Sequence, residues 1–154
     1  MVIFLSLSSD EEIEAFEKFF LQQKYHFTNR ALIREALEGP GPFNPRGNNS
    51  LAMAGDAVLR QVLVDQGRNR GMSTEDIQNA ISKVGSNENL NNQGIALGLD
   101  PFIVKNPGQR GVMAGRRVMA TTMEAILGAV YYDSNKNCED CERIMAALGL
   151  SWPE

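Results

Sequence analysis

Two stretches of this chain share one unusual make-up: an apolar helical run with a single interior carboxylate and a glycine within a turn of it. The first, residues 49–59 of a helix covering about 49–68, holds Asp56 beside Gly55; the second, residues 120–133 of a helix covering about 116–133, holds Glu124 in its interior, with Gly128 one turn on. A mid-helix glycine costs about 1 kcal/mol relative to alanine. It is justified where another backbone or a ligand comes close. If the two helices cross closely, Asp56 and Glu124 meet. Two buried carboxylates do not both stay ionised cheaply without a cation. Donor sets made only of oxygen favour Mg²⁺ or Mn²⁺ over zinc. The plainer alternative, in which each carboxylate faces solvent or pairs with an arginine, stays open at this point.

The remaining periodicity is helical throughout. Ser9 followed by Glu12 reads as a capping box, so a helix begins near Asp10. Its apolar stripe is Ile13, Phe16, Phe19 and Phe20, and its end falls near Lys24. A second helix covers about residues 29–38, and the Gly- and Pro-rich run 39–47 is a loop. On the 49–68 helix, Asn49, Ala52 and Asp56 share one face, while Leu51, Val58 and Val62 point toward the core. Ser73 caps a helix that ends near Gly85, and another covers about 87–97 before Gly98. Residues 101–115 read as irregular, and a last helix covers about 139–148, ending at Gly149. Strand-type alternation is absent. The expectation is an all-α fold of about seven helices, in one domain over residues 1–154.

Hydrophobic residues make up 43% and charged residues 22% of the chain, values of a globular protein. The formal net charge of -4 argues against a generic basic RNA-coating protein. It does not argue against an enzyme that grips a polyanion through bound cations. Residues 1–7 are apolar but short and lack a basic flank, so they do not read as a signal peptide. No run approaches the ~20 apolar residues of a membrane helix. A soluble, intracellular protein with no membrane partner is expected.

The segment Leu51-Ala52-Met53-Ala54-Gly55-Asp56-Ala57-Val58-Leu59 resembles the signature helix of ribonuclease III, and the segment from Met123-Glu124 through Gly128 to Asp133 resembles that family's second catalytic helix. Residues 25–37 resemble the family's N-terminal helix pair, and residues 86–99 its middle segment. The four matches fall in the family's order. The resemblance implies the ribonuclease III endonuclease-domain fold. It also implies a homodimer that cuts double-stranded RNA with Mg²⁺ or Mn²⁺, leaving 5′-phosphate and 3′-hydroxyl ends. Asp56 and Glu124 fill two of the family's four acidic ligand positions; Ala52 and Thr121 fill the others, and Asn49 stands at a supporting acidic position. The resemblance thus assigns catalysis to Asp56 and Glu124, and metal contact to these two with Asn49 and Thr121. The Mini-III subfamily has a similarly reduced ligand set and no double-stranded RNA-binding domain, and it cleaves. None is expected within this chain either, although its middle segment is closer to the ordinary family. Met53 stands where the family often carries an aromatic knob at the dimer interface, with plain core packing as the other reading.

Duplex RNA is recognised by shape, backbone and 2′-hydroxyls. The candidate contacts are the basic run Lys105, Arg110, Arg116 and Arg117, with Arg68 and Arg70 as a second group. The loss of acids at Ala52, Thr121 and Asn49 supports a different class of function. In that class the protein is a non-catalytic member of the fold, an RNA-binding or ribosome-associated structural protein. Cys138 and Cys141 have no second pair, so neither a zinc site nor a disulfide framework is expected. His26, the single histidine, reads as a packing or capping residue.

Overall fold

The order of events along the chain follows its caps. The computed structural model describes residues 9–154, so the reading of residues 1–7 lies outside the described residues. Ser9 opens helix α1 (Asp10–Ala15) with both halves of the expected capping box. The helix then widens into a π-turn over Phe16–Phe20 and stops. Gln22 and Gln23 take left-handed backbone angles there, so the helix ends short of Lys24. The π-turn also shifts the register of side chains. Ile13, Phe16 and Phe20 are buried, while Phe19 is 66% exposed under the Lys18 ammonium, so Phe19 leaves the predicted stripe.

Asn29 caps α2 (Arg30–Ala36), a residue or two shorter at each end than the sequence suggests. The long helices α3 (Asn49–Asn69) and α6 (Arg116–Asp133) fall where expected. Between them come α4 (Thr74–Val84), capped by Ser73, and α5 (Asn87–Ala96), capped by Ser86. The final helix is α7 (Cys138–Ala147), and Gly149 in the left-handed region follows it. The described residues thus form seven α-helices without a strand, as read. The irregular run after α5 holds two short 3₁₀ turns, Asp100–Phe102 and Pro107–Gln109.

The hub is α6. From Met119 to Val130 nearly every side chain is buried, because α2, α3, α5 and α7 pack around it. A helix apolar on all sides can only be stable in such a place. Its polar end is used as well. Asp133 accepts the Tyr25 hydroxyl at 2.6 Å and the backbone N–H groups of Thr28 and Asn29 at 3.0 and 2.6 Å. One carboxylate at the end of the central helix therefore fixes the chain between α1 and α2. Arg30 and Arg34 of α2 both reach Asp10 and tie α2 back to the start of α1. No described helix is long and apolar enough to cross a membrane.

Candidate active site

The two glycines flagged by the sequence meet. A Cβ built on Gly55 would fall 1.8 Å from the Glu124 carbonyl oxygen, and one built on Gly128 would fall 2.0 Å from the Leu51 carbonyl oxygen. Neither obstacle is a flexible side chain; both are helix backbone. The backbones of α3 and α6 touch here, and only glycine permits it. A second contact lies seven residues back, where buried Asn48 donates from Nδ2 to Ala36 O at 2.8 Å and to Thr122 Oγ1 at 3.3 Å. Asn48 and Thr122 both precede the glycine of their own helix, so the N-terminal parts of α3 and α6 lie on the same side of the crossing.

Glu124 and Asp56 come together at this crossing. Glu124 is half-buried, and its pKa is pushed up to about 7. Burial is the largest cause, followed by the charge of Asp56 and by a carboxyl–carboxyl hydrogen bond with it; Arg60 acts in the opposite sense. Asp56 is more open, with its side chain 40% exposed, and Arg60 one turn later donates from Nε to Oδ2 at 3.2 Å. Arg60 was not singled out from the sequence, although its i+4 spacing from Asp56 is the signal that could have found it. The arrangement is a carboxylate pair that holds a proton between its members near neutral pH, or gives it up to a cation.

The other predicted ligands divide. Thr121 lies three residues before Glu124 on α6, on the same face and half-buried. Asn49 does not join the pair: it is exposed in the first turn of α3. Seven residues of helix, about 10 Å of rise, separate it from Asp56. The neighbouring Asn48 does the internal work instead. Ala52 is buried and offers no donor. Among the described residues, no three His, Cys, Asp or Glu side chains could hold one metal ion together.

The basic residues are also sorted by the structure. Lys105 departs from its expected role, because its ammonium pairs with Asp100 at 2.8 Å and donates to Val112 O at 2.7 Å. It closes the loop after α5. Arg70 departs too: it pairs with Glu154 at 2.9 Å and lies over the Trp152 ring. Arg68 is exposed but opens on a cleft of about 350 Å³ shared with Asp65, Glu139 and Glu142, which is acidic company. Arg110 is exposed in its loop, and Arg116 and Arg117 are exposed at the start of α6. Met53 is 76% exposed while its neighbours Leu51 and Ala52 are buried, so it is not core. Cys138 is exposed, Cys141 is buried, and both are free thiols. Burial pushes the Cys141 thiol up to about 12. His26 is exposed rather than packed, with Nδ1 3.3 Å from the buried carboxylate of Glu17.

Residues 49–135, which include both carboxylate helices, match the ribonuclease III domain family. Ribonuclease 3 of Vibrio vulnificus is 29% identical over 140 residues, covering 88% of this chain and 59% of its own length. Ribonuclease 3 of Shewanella denitrificans is 30% identical over 132 residues, covering 83% of this chain and 55% of its own length. The chain therefore spans under two thirds of each relative. Two structures of the nuclease domain of ribonuclease III from Campylobacter jejuni superpose with TM-scores of 0.75 and 0.73, each at 21% identity. They cover 86% and 92% of this chain, and 94% of the Campylobacter domain in both cases. One of the two is described as flexible in a region involved in dimer formation.

Proposed function

The chain belongs to the ribonuclease III family, and from that premise we propose that it is an endoribonuclease hydrolysing double-stranded RNA with Mg²⁺ or Mn²⁺. The observation that carries this reading is the meeting of Asp56 and Glu124 across the Gly55–Gly128 contact. A carboxyl group kept half-buried beside a second one is a costly arrangement with no use in holding two apolar helices together. It becomes favourable when a divalent cation sits between the two. The donor set fits a hard cation, which is commonly held by one or two carboxylates and completes its shell with water and substrate phosphate.

When bound, the metal lowers the pKa of a coordinated water and neutralises charge growing on the phosphate. Asp56 and Glu124 would hold it, with the Thr121 hydroxyl beside them. Glu124, whose carboxyl holds its proton up to about pH 7, would have to lose that proton to hold the ion. The rigid backbone contact keeps the spacing of the two carboxylates fixed, so little reorganisation accompanies the reaction. Arg116 and Arg117 would track the phosphate backbone on the N-terminal side of the α3–α6 crossing, about 10–12 Å of helix rise from Glu124. Homodimer formation through Met53 belongs to the same proposal; its exposure and the dimer region of the Campylobacter relative support it.

Two observations favour the non-catalytic alternative: among the described residues no third Asp, Glu, His or Cys joins the two carboxylates, and Arg60 already pairs with Asp56. The two readings separate when labelled long duplex RNA is incubated with wild type and Glu124→Gln across a Mg²⁺ and Mn²⁺ series. Metal-dependent shortening by the wild type alone is expected. Binding without shortening in every lane, from folded protein, would establish the structural-protein reading instead.

A further inference from the structure

Arg60 is a side chain of the site that neither composition nor the family pattern assigns a role. It uses one of its five N–H donors, Nε, on Asp56 at 3.2 Å. Among the described residues neither Nη group has a hydrogen-bond partner, and the side chain is 56% exposed. As a stabilising device the pair is poor, because an exposed i,i+4 ion pair contributes about 0.3–0.5 kcal/mol. A guanidinium is also always charged, planar and suited to bidentate contact with phosphate.

The charge count makes such a group useful. With Ala52 and Thr121 in place of acids, the site offers two carboxylates, matched by a single divalent ion. The phosphodiester carries one negative charge, and a second builds up as water attacks. A second cation would stabilise that charge most where solvent is excluded. Among the described residues, Arg60 pairs with Asp56 and its charge also acts on Glu124.

Resting on the nuclease reading above, we propose that Arg60 is a catalytic residue which gives up Asp56 to the metal and moves its guanidinium onto a non-bridging oxygen of the scissile phosphate. No covalent bond to Arg60 forms or breaks. The structure shows the resting half of this exchange: a long, single hydrogen bond to the ligand, with the phosphate-binding fork left open.

Because Arg60 and the metal compete for Asp56 but cooperate on the phosphate, its removal should move two readouts in opposite directions. Titration calorimetry with Mn²⁺ alone should show Arg60→Met binding severalfold more tightly than wild type, up to about 5-fold for a partly exposed pair. At saturating duplex RNA and Mn²⁺, the same variant should lose roughly 100-fold in kcat with little change in KM. Arg60→Lys should recover only part of that loss. Weaker Mn²⁺ binding together with lower activity would make Arg60 a structural support and overturn the proposal. A rise in KM at unchanged kcat would make it a general phosphate contact and overturn it equally. If wild type itself leaves RNA intact, the nuclease reading fails; if wild type and Arg60→Met cleave alike, only the role of Arg60 fails.

Discussion

Glu124 decides how this site responds to pH. Its folded pKa of about 7 stands above that of an unfolded glutamate, and burial is the first cause, ahead of the Asp56 charge. The folded chain therefore binds more protons than the unfolded chain between roughly pH 4.5 and 7, so the metal-free protein loses stability as pH rises through that window. Thermal melts of wild type should show a falling melting temperature from pH 5 to 7, and Glu124→Gln should flatten the trend. A cation must displace the same proton. Mn²⁺ affinity should climb with pH to about 7 and then level, with close to one proton released per ion at pH 6. Two protein carboxylates make a weak site, and Mn²⁺ binding that saturates at micromolar concentration would contradict the two-carboxylate assignment. From the sequence, Asp56 and Glu124 were legible because a lone acid in an apolar helix has few explanations. Asn48 and Thr122 were not, since a buried amide–hydroxyl pair has no pattern until the helices that carry it are packed.

At the scale of elements, the caps carried most of the information. Ser9 and Ser73 accept a backbone N–H as the sequence suggests, and Asn29 and Ser86 do the same at the starts of α2 and α5; helix starts follow from such side chains with little help from tertiary structure. The π-turn at Phe16–Phe20 had no such sign. It goes with the burial of Phe16, Glu17 and Phe20 together, Glu17 accepting the Phe27 N–H at 2.6 Å. Lys105 and Arg70 were misread for a related reason: their partners, Val112, Glu154 and Trp152, come near only through the fold. The glycine crossing gives the sharpest test of an element-level claim. Gly55→Ala places a Cβ into the Glu124 carbonyl, and the helices must separate to admit it. Overpacking of this kind costs about 1–3 kcal/mol, with a backbone obstacle toward the upper end. Urea denaturation should show that loss, and Mn²⁺ binding should fall with it because the two carboxylates are pushed apart. Alanine tolerated at no cost would mean that the crossing does not set their spacing.

At the scale of the whole molecule the proposed function meets an electrostatic problem, because a chain of net charge -4 would have to hold a polyanion. Uniform attraction is unavailable, so binding has to come from local cations against an unfavourable mean field. The structure leaves two ends of the α3–α6 pair to supply them. At the C-terminal end, Arg70 is committed to Glu154 and Trp152, and Arg68 is surrounded by acids. At the N-terminal end, Arg116 and Arg117 stand exposed on the first turn of α6. RNA should therefore run over the N-terminal end. Each phosphate contact contributes a little under one unit to the slope of log affinity against log salt. In a Glu124→Gln background, which prevents cleavage, Arg116→Ala with Arg117→Ala should lower that slope by about 2, and should weaken binding alike for duplexes of different sequence. Arg70→Ala should leave the slope unchanged, since its charge is already answered within the protein. A slope that falls with Arg70→Ala and not with the double substitution would put the RNA track at the opposite end of α3, with Arg68 as its centre.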